Sequence, residues 1–342
     1  MPTAVSVATV ESNTHRHRCA QPANGYRSRV TRYRLRELGL AATLFLGVPL
    51  GSAACSDYWA KTSSGDPAAG PCPTAPVNVV ASVDQWGDIV STLGGNCAKV
   101  RTILVSSSVD PHDYEPSPAD AGDFAGSQLV VVNGADYDPW ASKLAATAVP
   151  NVPVVSAAQV THTPDGANPH LWYRPSAVTA LADAVTAELT KLSPSAAGYF
   201  AKQRATLTSN LKPYNDLIAK ISREASGRSY AATERIFDYM AQAIGLVDKT
   251  PPGYRQAAAN ETDPSPGDLQ AFRDVLAGHR IDVLIFNPQT EGAVPDQLRA
   301  AAQQAGVPVV AITETVPSKD KSFQSWQMDQ LGSLAKALNV SA

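Results

Sequence analysis

Short β-branched runs alternate with helix-forming stretches along most of this chain, and that alternation restricts it to one class of fold. Residues 77–82 (VNVVAS), 100–106 (VRTILVS), 129–133 (LVVVN) and 152–156 (VPVVS) read as buried strands. Between them, 86–93, 118–125 and 139–148 read as helices, the first closed by Gly94-Gly95 and the second opened by Ser117-Pro118. A helix between successive strands supplies the crossover that parallel pairing needs, so a parallel sheet flanked by helices is predicted. The pattern resumes with strands at 229–233, 283–287 and 307–313. Helices are expected at 236–244, from Asp263-Pro264-Ser265-Pro266 to Gly278, at 295–305 and at 323–338, while 254–264 reads as irregular. Between the two alternations lie helices at 175–192 and 196–223; the second carries Phe200, Leu207, Leu211, Leu217 and Ile221 at helical spacing. A helix of that length reaches about 40 Å, although Pro213 should kink or split it. At 342 residues the chain is long enough for two cores. The expected fold is α/β: two similar lobes (77–192 and 224–342), each a parallel sheet flanked by helices, joined by one long helix (193–223).

The first 54 residues differ in kind. Arg16, Arg18, Arg27, Arg29, Arg32, Arg34 and Arg36 form a basic leader, residues 38–50 an apolar run, and Gly51-Ser52-Ala53-Ala54 a small-residue site before Cys55. This is the layout of a secretory signal, too short for a comfortable membrane span; a single membrane anchor is the rival reading. The small residues running into Cys55 resemble a bacterial lipoprotein processing site, with Ser52 where Leu is usual, and imply lipidation of Cys55. Residues 55–76, rich in Ser, Gly, Pro and Ala, then form a flexible tether. In an oxidising compartment the remaining pair, Cys72 and Cys97, is expected to form a disulfide closing about 25 residues, worth about 3 kcal/mol. A thiol metal site is the alternative. The formal net charge of −3 provides no basic stripe for nucleic acid.

Four potential ligands stand after strands or beside that position. His112 lies on the loop leaving 100–106, His170 follows the fourth strand and a loop, and Glu234 and Glu314 stand after 229–233 and 307–313. In open α/β sheets the crevice at these C-terminal edges is where ligands bind. Two imidazoles and two carboxylates suit a divalent first-row metal, the carboxylates moving preference from zinc toward manganese or iron. Each residue also has a plainer reading. Glu234 would serve as a helix cap or first-turn acid, Glu314 as a solvated acid, and His170 as a ring packed on Trp172. His162 and His279, which end no strand, read as surface residues.

The segments Asp110-Pro111-His112-Asp113-Tyr114-Glu115-Pro116 and Asn168-Pro169-His170-Leu171-Trp172 resemble the first and second ligand motifs of the metal-binding receptors of bacterial zinc/manganese ABC importers. The resemblance covers about residues 76–340. It implies ligand roles for His112 and His170, for Glu234 in Ala231-Ala232-Thr233-Glu234, and for Glu314 in Ile312-Thr313-Glu314-Thr315, where the family usually has Asp. It also implies that the joining helix is rigid and lobe movements small. The His-rich loop common in zinc receptors is absent; its interval holds only His162. The implied protein is an exported, lipid-anchored monomer that captures zinc or manganese as cargo, without organic cofactor or catalysis, and delivers it to an ABC permease in the membrane. An adhesin or structural surface lipoprotein is an alternative. A metallohydrolase is another, weakened because the sequence lacks HExxH and a four-ligand shell leaves no position for water.

Overall fold

In a computed structural model, which describes residues 70–105, 114–148, 151–260, 262–290, 292–317 and 322–341, the strand–helix alternation builds two sheets of four strands each. The leader, Cys55, most of the 55–76 tether and His112 lie outside the described residues. The first sheet contains β1 (Val77–Val83), β2 (Ala98–Leu104), β3 (Leu129–Val132) and β4 (Val154–Ser156), ordered β2-β1-β3-β4. The second contains β5 (Ser229–Ala232), β6 (Val247–Asp248), β7 (Val283–Phe286) and β8 (Val309–Ala311), ordered β6-β5-β7-β8. All pairings are parallel, with Val79 opposite Val100 and Leu129, and Ala231 opposite Leu284. Both sheets therefore reverse winding direction beside their first strand, between β1 and β3 and between β5 and β7. Loops diverge there and leave a crevice at the strand ends.

The helices are α1 (Asp84–Gly94), α2 (Pro118–Ala125), α3 (Pro139–Ala148), α4 (Ala157–Val160), α5 (Pro175–Leu192), α6 (Ala197–Asn210), α7 (Lys212–Ala225), α8 (Asp238–Ile244), α9 (Pro252–Ala259), α10 (Pro266–Ala277), α11 (Ala293–Gln304) and α12 (Phe323–Ala337). Ser117 caps α2 in a capping box with Asp120, and Gly245 in the left-handed conformation ends α8. The expected long helix is two segments meeting at Leu211. The backbone stays helical there: the Leu211 N–H donates to Leu207 (2.9 Å) and its carbonyl accepts from Asn215 (3.0 Å). Pro213 falls in the first turn of α7, where a missing N–H costs least. The division has a packing consequence, since α6 lies on α1 and α5 and α7 lies on α8 and α12.

Period-two alternation splits the second sheet between two cores. Tyr230, Ala232, Val283, Ile285 and Val310 join a hydrophobic cluster that runs without a break into the first sheet. Ala231 and Leu284 face the other way, toward Tyr254, Phe272, Leu276 and Leu298. The shared core is centred on aromatic rings from both halves of the chain. Tyr173 stands 5.5 Å from Phe237 and 5.8 Å from Trp326, all three buried.

Three short elements depart from the sequence reading. Residues 254–259 are helical, because Pro251-Pro252-Gly253 starts α9 instead of breaking the chain: Pro at the first helical position loses nothing. The two residues of β6 and the single turn of α4 are too short to show periodicity. Among the described residues no helix is long and apolar enough to cross a membrane.

Cys72 and Cys97 form a disulfide. It joins the segment entering β1 to the short 3₁₀ turn after α1, where Cys97 is fully buried. Replacing both with Ser should lower stability by about 3 kcal/mol through loss of a closed loop of 25 residues. That corresponds to a fall in melting temperature of roughly 5–10 °C. A reduced protein melting within a degree of the oxidised one would contradict this.

Candidate metal centre

The crevice of the second sheet receives His170 from the first half of the chain. His170 ends the loop that follows β4 and α4, and a set of side chains holds that loop. Trp86 Nε1 donates to Asn133 Oδ1 (3.0 Å), and Asn133 Nδ2 donates to the Pro169 carbonyl (2.8 Å). The ring of His170 lies edge-on to Trp172, with centroids 5.3 Å apart, so its packing role is real. Packing is not its whole role, because Nε2 points at two carboxylates.

Asn168 decides which nitrogen faces them. Its Nδ2 donates to the Arg235 carbonyl (2.7 Å) and its Oδ1 accepts from the His170 backbone N–H (3.0 Å), which fixes the orientation of the amide. The same Oδ1 stands 2.7 Å from His170 Nδ1, so Nδ1 carries a proton and donates. Nε2 is left toward the crevice, with a lone pair whenever the ring is neutral. A hydrogen bond of this kind to the far nitrogen orients ligating histidines in metal sites.

Glu234 leaves β5 in extended conformation and makes no capping hydrogen bond to the turn that follows, so it is not a helix cap. Its Oε2 accepts from Asn287 Nδ2 (2.7 Å) and Thr290 Oγ1 (2.6 Å), and Oε1 lies 3.5 Å from His170 Nε2. Glu314 follows β8 by a few residues. Its backbone N–H donates to Gln289 Oε1 (2.5 Å) and its carbonyl accepts from Gln85 Nε2 (2.7 Å). Its Oε1 lies 2.9 Å from His170 Nε2. One ligand atom each from His170, Glu234 and Glu314 thus falls within 4.8 Å of the others, a span that a single cation can bridge. His170 is 7% exposed at its side chain, the carboxylates 22% and 18%, so the cluster opens to solvent on the carboxylate side. With a neutral imidazole the three residues bring two negative charges, suited to a divalent ion with mixed nitrogen and oxygen preference.

His112 lies outside the described residues. His162 and His279 are exposed, as the sequence suggested. The residues that sequence reasoning passed over are the polar supports: Gln85, Asn133, Asn287, Gln289 and Thr290. Only Asn168 lay inside a motif already singled out.

The proton affinity of Nε2 follows from the same geometry. Burial alone would lower the pKa of His170, but the hydrogen bond to Glu314 and the charges of Glu314, Glu234 and Asp238 outweigh it, and the pKa is raised.

The model of the family described as "Zinc-uptake complex component A periplasmic" matches residues 79–337. The manganese ABC transporter substrate-binding lipoprotein PsaA of Streptococcus mitis is 23% identical over 319 residues, covering 85% of this chain and 94% of that protein. The high-affinity zinc uptake system protein ZnuA of Bacillus subtilis is 21% identical over 215 residues, 57% of this chain; the match spans 66% of that relative, just under two thirds of its length. Among solved structures, the periplasmic zinc-binding protein TroA from Treponema pallidum superposes with a TM-score of 0.65 at 17% identity, over 77% of this chain and 99% of that one. At that identity the likeness is one of fold.

In metal-free protein the His170 ring should titrate above the ordinary imidazole value of about 6.5, observable as its C–H resonances in NMR. Its pairing with the carboxylates adds to folding stability in full below the unfolded-state pKa and is lost as pH rises through the raised folded-state value. Glu314→Gln should bring the midpoint down; a midpoint that does not move would contradict the pairing.

Proposed function

The chain belongs to the zinc-uptake complex component A family of periplasmic proteins, and from that premise we propose that it is the metal-capturing receptor of an ABC importer. The observation that carries this reading is the meeting of His170 Nε2 with the Glu234 and Glu314 carboxylates at the strand ends of the second sheet. His112, in the motif that resembles the family's first, is proposed as the fourth ligand. The cargo is a divalent zinc or manganese ion, the two metals named for the relatives.

Each part of the chain has a task in this reading. The segment up to residue 54 directs export, Cys55 carries a lipid that anchors the protein to the outer face of the plasma membrane, and 55–76 is the tether. Residues 77–192 and 224–342 are the two lobes, and 193–223 the helical link between them. The protein acts as a monomer and hands its metal to the membrane permease. His170, with Nδ1 occupied by Asn168, presents a nitrogen; Glu234 and Glu314 present oxygens and neutralise the ion's charge. A metal takes the Nε2 lone pair of the neutral ring, so metal and proton compete for the same nitrogen. No nucleophile or general base has to act, and the protein is not an enzyme in this reading. The core shared by both sheets favours small lobe movements over wide hinge closure.

Protein purified without chelator should contain stoichiometric zinc or manganese by elemental analysis, and metal-free protein should take up at least one at micromolar concentration. His112→Ala combined with His170→Ala should weaken binding beyond the roughly 10–100-fold loss typical of removing an outer partner of a ligand. Unchanged metal content in that double variant would end the receptor reading.

A further inference from the structure

The loop that leaves β7 contributes none of the proposed ligands, yet it touches both acidic ones. Asn287 and Thr290 donate to one oxygen of Glu234, at 2.7 and 2.6 Å, and Gln289 accepts from the backbone of Glu314. Distances this short are those of hydrogen bonds to a charged carboxylate. We infer that Asn287 and Thr290 are specificity-determining positioning residues: by occupying Oε2 of Glu234 they limit that carboxylate to one-oxygen binding through Oε1.

Neighbouring protein groups hold the arrangement in place. Asn287 is 1% exposed, and its backbone N–H donates to Thr233 Oγ1 (3.2 Å). Its Oδ1 accepts from the Gln289 N–H (2.9 Å), so the amide cannot flip without losing that bond, and Nδ2 is committed to Glu234. The Thr290 hydroxyl supplies the second donor. The two donors fill both lone-pair positions of Oε2, which makes it a poor second ligand: binding a cation there requires displacing at least one of the two charge-assisted hydrogen bonds. The other oxygen faces His170 Nε2 at 3.5 Å, toward the shared centre.

The consequence concerns metal choice, and the inference rests on the receptor reading. Zinc prefers four ligands, whereas manganese favours a six-coordinate oxygen-rich shell. A carboxylate held to one oxygen keeps the ligand count low and favours zinc over manganese relative to the same site with a free carboxylate. Releasing Oε2 lets Glu234 chelate, adds an oxygen and moves the preference toward manganese.

Thr290→Val keeps the side-chain shape and removes the hydroxyl, and Thr290→Ser keeps the hydroxyl. Competition titrations of metal-free protein with zinc and manganese should show the zinc-to-manganese affinity ratio falling about tenfold in Thr290→Val, the lower end for outer partners of ligands, and near wild type in Thr290→Ser. X-ray absorption of the zinc-loaded proteins should show one more oxygen neighbour in the valine variant only. Asn287→Asp, which sets a carboxylate oxygen against Oε2 in the same volume, should shift the ratio in the same direction and provides a second route if Thr290→Val fails to fold. An unchanged ratio and oxygen count in Thr290→Val, or an equal change in the serine variant, would overturn the inference while leaving the receptor reading intact. Wild-type protein that binds neither metal would overturn both.

Discussion

One hydrophobic core spans both sheets, and the rest of the structure depends on it. Tyr173, Phe237, Phe323 and Trp326 are each at most 1% exposed, and they pack as a group drawn from segments far apart in sequence. Burying a large apolar side chain contributes about 1.5–3 kcal/mol, so parting the sheets far enough to wet these rings would cost several such terms at once. Polar bonds across the same seam add direction. The Tyr173 hydroxyl donates to the Thr313 carbonyl (2.6 Å), Gln85 to that of Glu314 (2.7 Å) and Asn168 to that of Arg235 (2.7 Å), while the Phe323 N–H donates to Asp88 (2.9 Å). Dispersion and hydrophobic burial set the distance between the halves, and these bonds set their register.

That fixed register brings side chains from distant parts of the chain into one cluster. A buried imidazole facing two carboxylates would be unfavourable if any partner were free to drift, because desolvated charge is tolerated only at short range. Here each group is held from behind: His170 by Asn168, Glu234 by Asn287 and Thr290, and the Glu314 backbone by Gln289 and Gln85. The negative charge gathered at the strand ends raises the proton affinity of His170, and in the proposed receptor a divalent cation would satisfy the same charge.

The sheets were legible because their signal is local. A run such as Leu129-Val130-Val131-Val132 is strongly apolar and too short for a helix, and it forms a strand with every residue buried. Segments that failed to signal were those whose conformation rests on one or two residues: the pair in β6, the turn of α4, and α9 behind its two prolines. Their apolar content is too small for a periodic pattern, and tertiary contacts decided them.

By itself the sequence determined the α/β class, the twofold alternation, and the placing of Glu234 and Glu314 just beyond strand ends and of His170 on the loop that follows the fourth strand. All of these follow from spacing along the chain, because strand, turn and helix propensities act over a few residues. Only the tertiary structure decided that His170 and Glu314, 144 positions apart, lie 2.9 Å from each other, and that Nε2 is the nitrogen presented. It alone identified Asn287, Gln289 and Thr290 as supports. Polar residues in loops carry no periodicity, and their hydrogen-bond partners exist only once the shared core has fixed the distance between the sheets.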